Sequence, residues 1–151
     1  MAFLRYSGTP NIQPFVKTAS TALTCNGLVK LSSSQLVASA ADDIEVLGIS
    51  METIASTDGD YATARAVLVD LIDEDDVILA DSSGTALATT SVGSYFDIAD
   101  STHIDGAEGS ALSGGATGTA GPFVCIGFIS ATQGLFMLAS RYGNQTVNPT
   151  S

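Results

Sequence analysis

Apolar residues in this chain come in short runs broken by glycine, serine, threonine and aspartate. The runs read GLVKL, SSQLVAS, EVLGIS, ARAVLVDLI, VILADS, SYFDIAD, PFVCIGFIS and LFMLAS. None sustains the 3.6-residue period of an amphipathic helix, and no internal repeat appears. DDIEVLGISMETI is the one stretch open to a helical reading, and Val46, Ile49 and the central Gly48 turn it towards a strand. STDGDY supplies turn chemistry at Asp58–Gly59. The pattern predicts an all-β fold, a small β-barrel or sandwich of about seven to eight short strands.

Two hairpins are expected. In AVLVDLIDEDDVILADSS, residues 66–83, a DEDD loop sets Ile72 opposite Val77, Leu71 opposite Ile78, Asp70 opposite Leu79 and Val69 opposite Ala80. Alternation then gives Val67, Val69, Leu71, Ile78 and Ala80 one apolar face that belongs in the core. The opposite face carries Leu68, Asp70, Ile72, Val77 and Leu79, which is too much apolar surface for open water. It is assigned to a subunit interface, with cover by other strands of the same chain as the alternative. Asp70 then needs a cation, and Arg65 or Arg141 stand nearest in pattern. The second hairpin joins PFVCIGFIS to LFMLAS through ATQG, with Phe128 opposite Met137 and both faces apolar.

The flanks differ in character. Residues 1–20 hold Pro10 and Pro14, three aromatics and no clear period, and read as an extended N-terminal arm. Its candidate contacts with a neighbour are Phe3, Leu4, Arg5, Tyr6, Ile12, Phe15 and Lys17. A single β domain over residues 21–142 follows, interrupted by a glycine-rich loop at 106–121 and ended by a polar tail at 143–151.

Charge sharpens this organisation. The chain has 151 residues, a net charge of −11, 45% hydrophobic residues and only 14% charged ones, which is too apolar for disorder. Residues 1–41 carry Arg5, Lys17 and Lys30 with no acid, and all sixteen acids lie between Asp42 and Glu108. Such an acidic body repels phosphate, so no nucleic-acid partner is expected. The opening MAFLRYSGTP lacks the apolar segment of a signal peptide, and no run is long enough to span a membrane as a helix. Cys25 and Cys125 form no CxxC pair and are expected to be free, buried thiols of a reducing compartment.

Candidate chemistry is sparse. DEDD at 73–76 lacks the glycine and alternate spacing of a calcium loop, so a solvated turn is the expectation. A Ser101–His103–Asp105 triad can be drawn, yet there is no G-x-S-x-G elbow to expose a serine. His103 with two distant cysteines makes a poor zinc set, and GGATGTAG has no G-K-[ST] ending. No catalytic residue, cofactor or metal is assigned, and the reading is non-enzymatic.

Several segments, in order, resemble the small capsid decoration (cement) proteins of tailed bacteriophages: G-L-V-K-L at 27–31, V-L-G-I-S at 46–50, VGSYFDI at 92–98 and the closing G-F-I at 127–129. The resemblance implies a β-barrel-like structural protein of the virion. It would bind the major capsid protein on the outside of an icosahedral head, as a homotrimer, and stabilise the expanded shell after assembly in the host cytoplasm. Such a family has no catalytic residues to carry over. The alternative is a head-fibre or tail-associated adhesin module whose glycine-rich loop touches a receptor or glycan.

Overall fold

The computed structural model describes residues 2–41, 43, 45–109 and 121–139. Among these, the chain forms eleven strands, and its one helical element is a 3-10 turn at Thr89–Ser91. The strands are β1 (Phe3–Ser7), β2 (Ile12–Val16), β3 (Leu28–Ser32), β4 (Gln35–Ala38), β5 (Gly48–Ser50) and β6 (Ala66–Leu71), followed by β7 (Val77–Ser83), β8 (Tyr95–Asp100), β9 (His103–Gly109), β10 (Phe123–Ser130) and β11 (Gln133–Leu138). The all-β expectation holds, with more strands than the runs alone suggest.

β7, β11, β10, β8 and β9 pair in that order, and β9 returns to β7 in parallel at Ser82–Ile104 and Ser83–Asp105. The ring is therefore a closed five-strand barrel, which leaves few unpaired edges. β1 lies antiparallel on the first half of β7, with Phe3 opposite Ala80 and Leu4 opposite Leu79. A second sheet runs β2-β6-β5-β3-β4 and curls until Lys17 bridges Leu36, bringing the end of β2 to β4.

Two cores result. Phe3, Ile78, Phe96, Ile98, Phe123 and Phe136 fill the barrel, which Leu28 and Ile49 of the second sheet and Ile72 just after β6 help to seal. Phe3 stacks on Phe123 at 6.1 Å, while Phe96 meets Phe136 edge-on at 5.7 Å, both favoured aromatic geometries. Leu23, Val29, Leu36, Ile54, Val67 and Val69 fill the curled sheet.

Three expectations are corrected here. First, the extended arm is not free, because its two halves are β1 and β2, one in each sheet. The reason is alternation. Phe3 and Arg5 point inwards from β1, and Phe15 packs on the second core from β2. Second, β6 and β7 do not form a hairpin. β6 bonds β2 and β5, β7 bonds β1, β11 and β9, and residues 72–76 are a corner between the sheets. Each strand has an apolar face, and the corner sends Val67 and Val69 to one core and Ile78 and Ala80 to the other. Third, the glycine-rich loop begins later than position 106, since β9 continues to Gly109. Gly106 is what lets it do so: a Cβ there would collide with the carbonyl oxygen of Thr85. Residues 110–120 and the tail at 143–151 lie outside the described residues.

The final hairpin forms as expected between β10 and β11, but in a different register. Its turn is Ala131–Thr132, and this shorter turn with a bulge at Ile129 puts Phe128 opposite Gly134 rather than Met137, while a bulge at Ile126 shifts the pairing beyond it.

If β1 is an integral strand, Phe3→Ala should cost about 3–5 kcal/mol in chemical denaturation, the usual loss for a buried phenylalanine. Tyr6→Ala, at a site 62% exposed, should stay within about 0.5 kcal/mol. Small and equal losses from both would show the strand to be undocked.

Candidate functional site

The polar centre of the molecule is built by the N-terminal strand. Arg5 reaches from β1 across to β6, where its Nε donates to Asp70 Oδ2 at 3.0 Å and its Nη2 to Asp70 Oδ1 at 2.7 Å. Nη2 also donates to the Leu71 carbonyl at 3.0 Å, and Nη1 lies 2.6 Å from Asp76 Oδ1. The planar guanidinium suits this two-pronged grip on a carboxylate. All three side chains are about nine-tenths buried. Gly8, at φ +110°, turns the chain beside the cluster, where a Cβ would collide with the Asp76 carboxylate.

The acid run is thereby divided. Asp73, Glu74 and Asp75 are exposed, whereas Asp76 is 4% exposed and accepts from the Asp73 amide at 2.7 Å. Asp76 is thus a buried anchor inside what reads as a solvated turn. Asp70's partner is Arg5 rather than Arg65, which instead bridges Glu52 and Asp60. Arg141 lies outside the described residues. Burial works to raise the Asp70 carboxyl, but the Arg5 hydrogen bonds, the Asn11 amide and the Arg5 charge outweigh it and hold the group below its ordinary value.

Lys17 occupies an unexpected place. It is fully buried at the seam between β2 and β4, donating to the carbonyl oxygens of Tyr61 at 2.8 Å and Thr18 at 3.3 Å. Its ammonium also lies 5.9 Å from the centre of the Tyr61 ring, within reach of a cation–π contact.

These placements revise the arm's contact residues. Phe3 and Lys17 are wholly buried and cannot reach a partner, Arg5 is committed to the ion cluster, and Leu4 and Phe15 are half-buried. Tyr6 and Ile12 stay exposed. The five-residue interface assigned to the expected hairpin also divides. Ile72 belongs to the barrel core, Asp70 lies under Arg5, Val77 and Leu79 are half-buried on the barrel wall, and Leu68 is 46% exposed on the second sheet.

Leu68 does not stand alone. Register sets Pro14 opposite Leu68 and Val16 opposite Ala66, while the Met51 amide donates to the Leu68 carbonyl at 3.0 Å. Ile12, Val16, Met51 and Leu68, each 43–46% exposed, thus share one outer face of the second sheet with Pro14. Glu52 rims this strip, accepting from the Leu68 amide at 3.2 Å and from Arg65 at 2.9 Å, and Asp60 pairs with Arg65 beyond it. The strip is the site that pattern reading missed. Its signal was present in the alternation of Ile12, Pro14 and Val16, masked by two prolines in one short segment.

His103 belongs to a turn. Its Nδ1 lies 3.0 Å from Asp100 Oδ1 and 3.0 Å from Thr102 Oγ1, and Asp100 also accepts from the Thr102 amide at 2.8 Å. Asp105 accepts from the Ala107 amide instead, so the drawn triad with Ser101 is not assembled. His103 lines a cavity of about 330 Å³ with Cys25, Asn26 and Asp81. No three His, Cys, Asp or Glu side chains among the described residues are grouped to hold a metal ion. Both cysteines are free, as expected, but Cys25 is exposed and only Cys125 is buried. Burial pushes the Cys125 thiol up, against a weaker opposing effect of the Gly127 backbone.

The sequence matches no protein-family model and no curated protein.

Two outcomes are expected. Because the folded Asp70 carboxyl titrates below its unfolded counterpart, its contribution is complete above about pH 4 and lost as pH falls through the depressed value. Asp70→Asn should cost about 3 kcal/mol near pH 7 by leaving Arg5 under-compensated, and should flatten the fall in stability below about pH 4. An unchanged acid limb in urea titrations would rule out the cluster as its source. Separately, a thiol reagent should modify Cys25 at once in the native protein, and Cys125 only after denaturation; two fast thiols would contradict the burial.

Proposed function

We propose that this chain is a structural protein of the virion that docks on the outer surface of an icosahedral phage head as a homotrimer and stabilises the expanded shell. The observation that carries the reading is the apolar strip of Ile12, Pro14, Val16, Met51 and Leu68. Its exposure on a folded sheet is the mark of a surface made to be covered. The resemblance of GLVKL, VLGIS and VGSYFDI to decoration proteins supports the same reading. The strip has the acidic Glu52 at its rim, so the partner surface that fits it is apolar with basic margins.

Docking is thereby moved from a free arm to a sheet face, on which Ile12 is the arm residue that takes part. Stabilisation follows from mass action. A protein that binds the expanded shell and not its precursor adds its binding free energy at every equivalent position. Three linked copies engage together, so a weak contact per copy gives durable attachment. The adhesin alternative leans on the glycine-rich stretch, whose residues 110–120 lie outside the described structure.

The test is co-sedimentation with empty expanded heads. Leu68→Asp should weaken binding at least tenfold, the equivalent of about 1.4 kcal/mol per contact, without lowering the melting temperature. Full binding by this variant would remove the strip from the mechanism. Binding of the wild type to glycans and not to heads would favour the adhesin.

A further inference from the structure

The strip on the second sheet is not the one apolar face. On the barrel, Phe3, Ile78, Ala80, Phe96, Phe123 and Phe136 point inwards, so the residues between them point out. Cross-strand register lines up Leu4, Leu79 and Leu135 in one row over β1, β7 and β11. A second row runs Tyr95, Val124 and Met137 over β8, β10 and β11, in which Val124 is buried at 3% exposure and the half-buried Tyr95 and Met137 flank it. Beside it, Val92 is 47% exposed and lines a shallow cavity of about 230 Å³ with Tyr95, Val124 and Ile126. The Gly93 amide donates to the Cys125 carbonyl at 2.8 Å and the Leu87 amide to the Ala131 carbonyl at 2.9 Å, so residues 87–94 run along this hairpin and extend its surface. Phe128 and Ile129, 38% and 47% exposed, belong to the same hairpin.

Charge decides what this surface meets. Residues 82–96 and 121–139 contain no Asp, Glu, Lys or Arg, in a chain whose net charge is −11. The fold brings these two neutral stretches together, while Asp81, paired with Gln133, bounds the face at one end and the buried Asp97 follows Phe96 at its border on β8. Two copies of a polyanion repel wherever their acids approach. On this face they meet without a like-charge penalty, and one patch presented by every copy is what closed symmetric assembly requires. The strip on the second sheet does not qualify, since Glu52 and Asp60 around the one Arg65 leave its rim net negative and two copies would bring those rims together.

We propose that the uncharged part of the barrel's outer wall, centred on Val92, Tyr95, Leu135 and Met137, is the surface through which copies of this chain associate with one another. This names the self-contact of the assembly proposed above, yet it is measured on the isolated protein and does not depend on heads.

The experiment is sedimentation equilibrium with native mass measurement on the full chain. The wild type should be a homo-oligomer at micromolar concentration. Its association should tighten several-fold between about 50 and 500 mM salt, because screening relieves repulsion between the acidic bodies. Val92→Asp, at an exposed position, should weaken association at least tenfold while keeping the wild-type melting temperature. Leu135→Gln, a milder change, should shift it in the same direction, and Leu68→Asp should leave it untouched. A wild-type monomer at every salt concentration overturns the inference, as does full association of Val92→Asp. Association that weakens with salt would show ion pairs and overturns it too. Oligomers that fail to bind heads leave this inference standing and remove the proposed function; monomers that bind heads do the reverse.

Discussion

One guanidinium holds the architecture together. Arg5 leaves a strand attached to the barrel and closes on Asp70 of the second sheet and Asp76 of the corner between them. Burying a cation and two carboxylates costs solvation that their attraction only partly returns, so the cluster is a poor source of net stability. Its value is positional. Any arrangement that separates the sheets leaves charges buried without partners, and alternative placements of the N-terminal strand are penalised far more than the native one is rewarded. Gly8 belongs to the same constraint, since the turn that follows Arg5 passes too close to Asp76 for any side chain.

The two faces of the molecule follow from this joint. With both sheets fixed against each other, the outer side of the second sheet exposes an apolar strip with an acidic margin, and the barrel wall presents an apolar face without charges. In the assembly proposed above, an acidic protein that docks on a partner and associates with its own copies needs these contacts kept apart. Charge distribution does that sorting: where acids border the apolar surface, a second copy is disfavoured and a basic partner is accommodated.

The local features of the fold were legible in the sequence, and the non-local ones were not. The β10–β11 hairpin is readable because its strands and turn are adjacent, although its bulges at Ile126 and Ile129 shift the register by steps no pattern announces. The β6–β7 segment misleads for a definite reason. Both strands are apolar on more than one face and flank a turn-like run, so a hairpin and a corner between sheets satisfy the same pattern. What separates them is the partner, and the partners of Asp70 are Ile12 and Ile49. Lys17 shows the same limit, because nothing near it in sequence indicates that the Tyr61 carbonyl waits to receive its ammonium. Arm-like composition in residues 1–17 was real, but the alternation of Phe3 and Arg5 against Leu4 and Tyr6 was the stronger signal.

The docking of β1 also sets a schedule for synthesis. The Ala2 amide bonds Asp81, and Phe3 packs against Phe123, so β1 finds its place only after strands made much later in the chain. At ribosomal rates of about 5–20 residues per second, Phe3 is without β7 for on the order of ten seconds and without β10 for longer still. Through that interval the nascent chain carries β1 with its backbone unpaired, since its partner is β7.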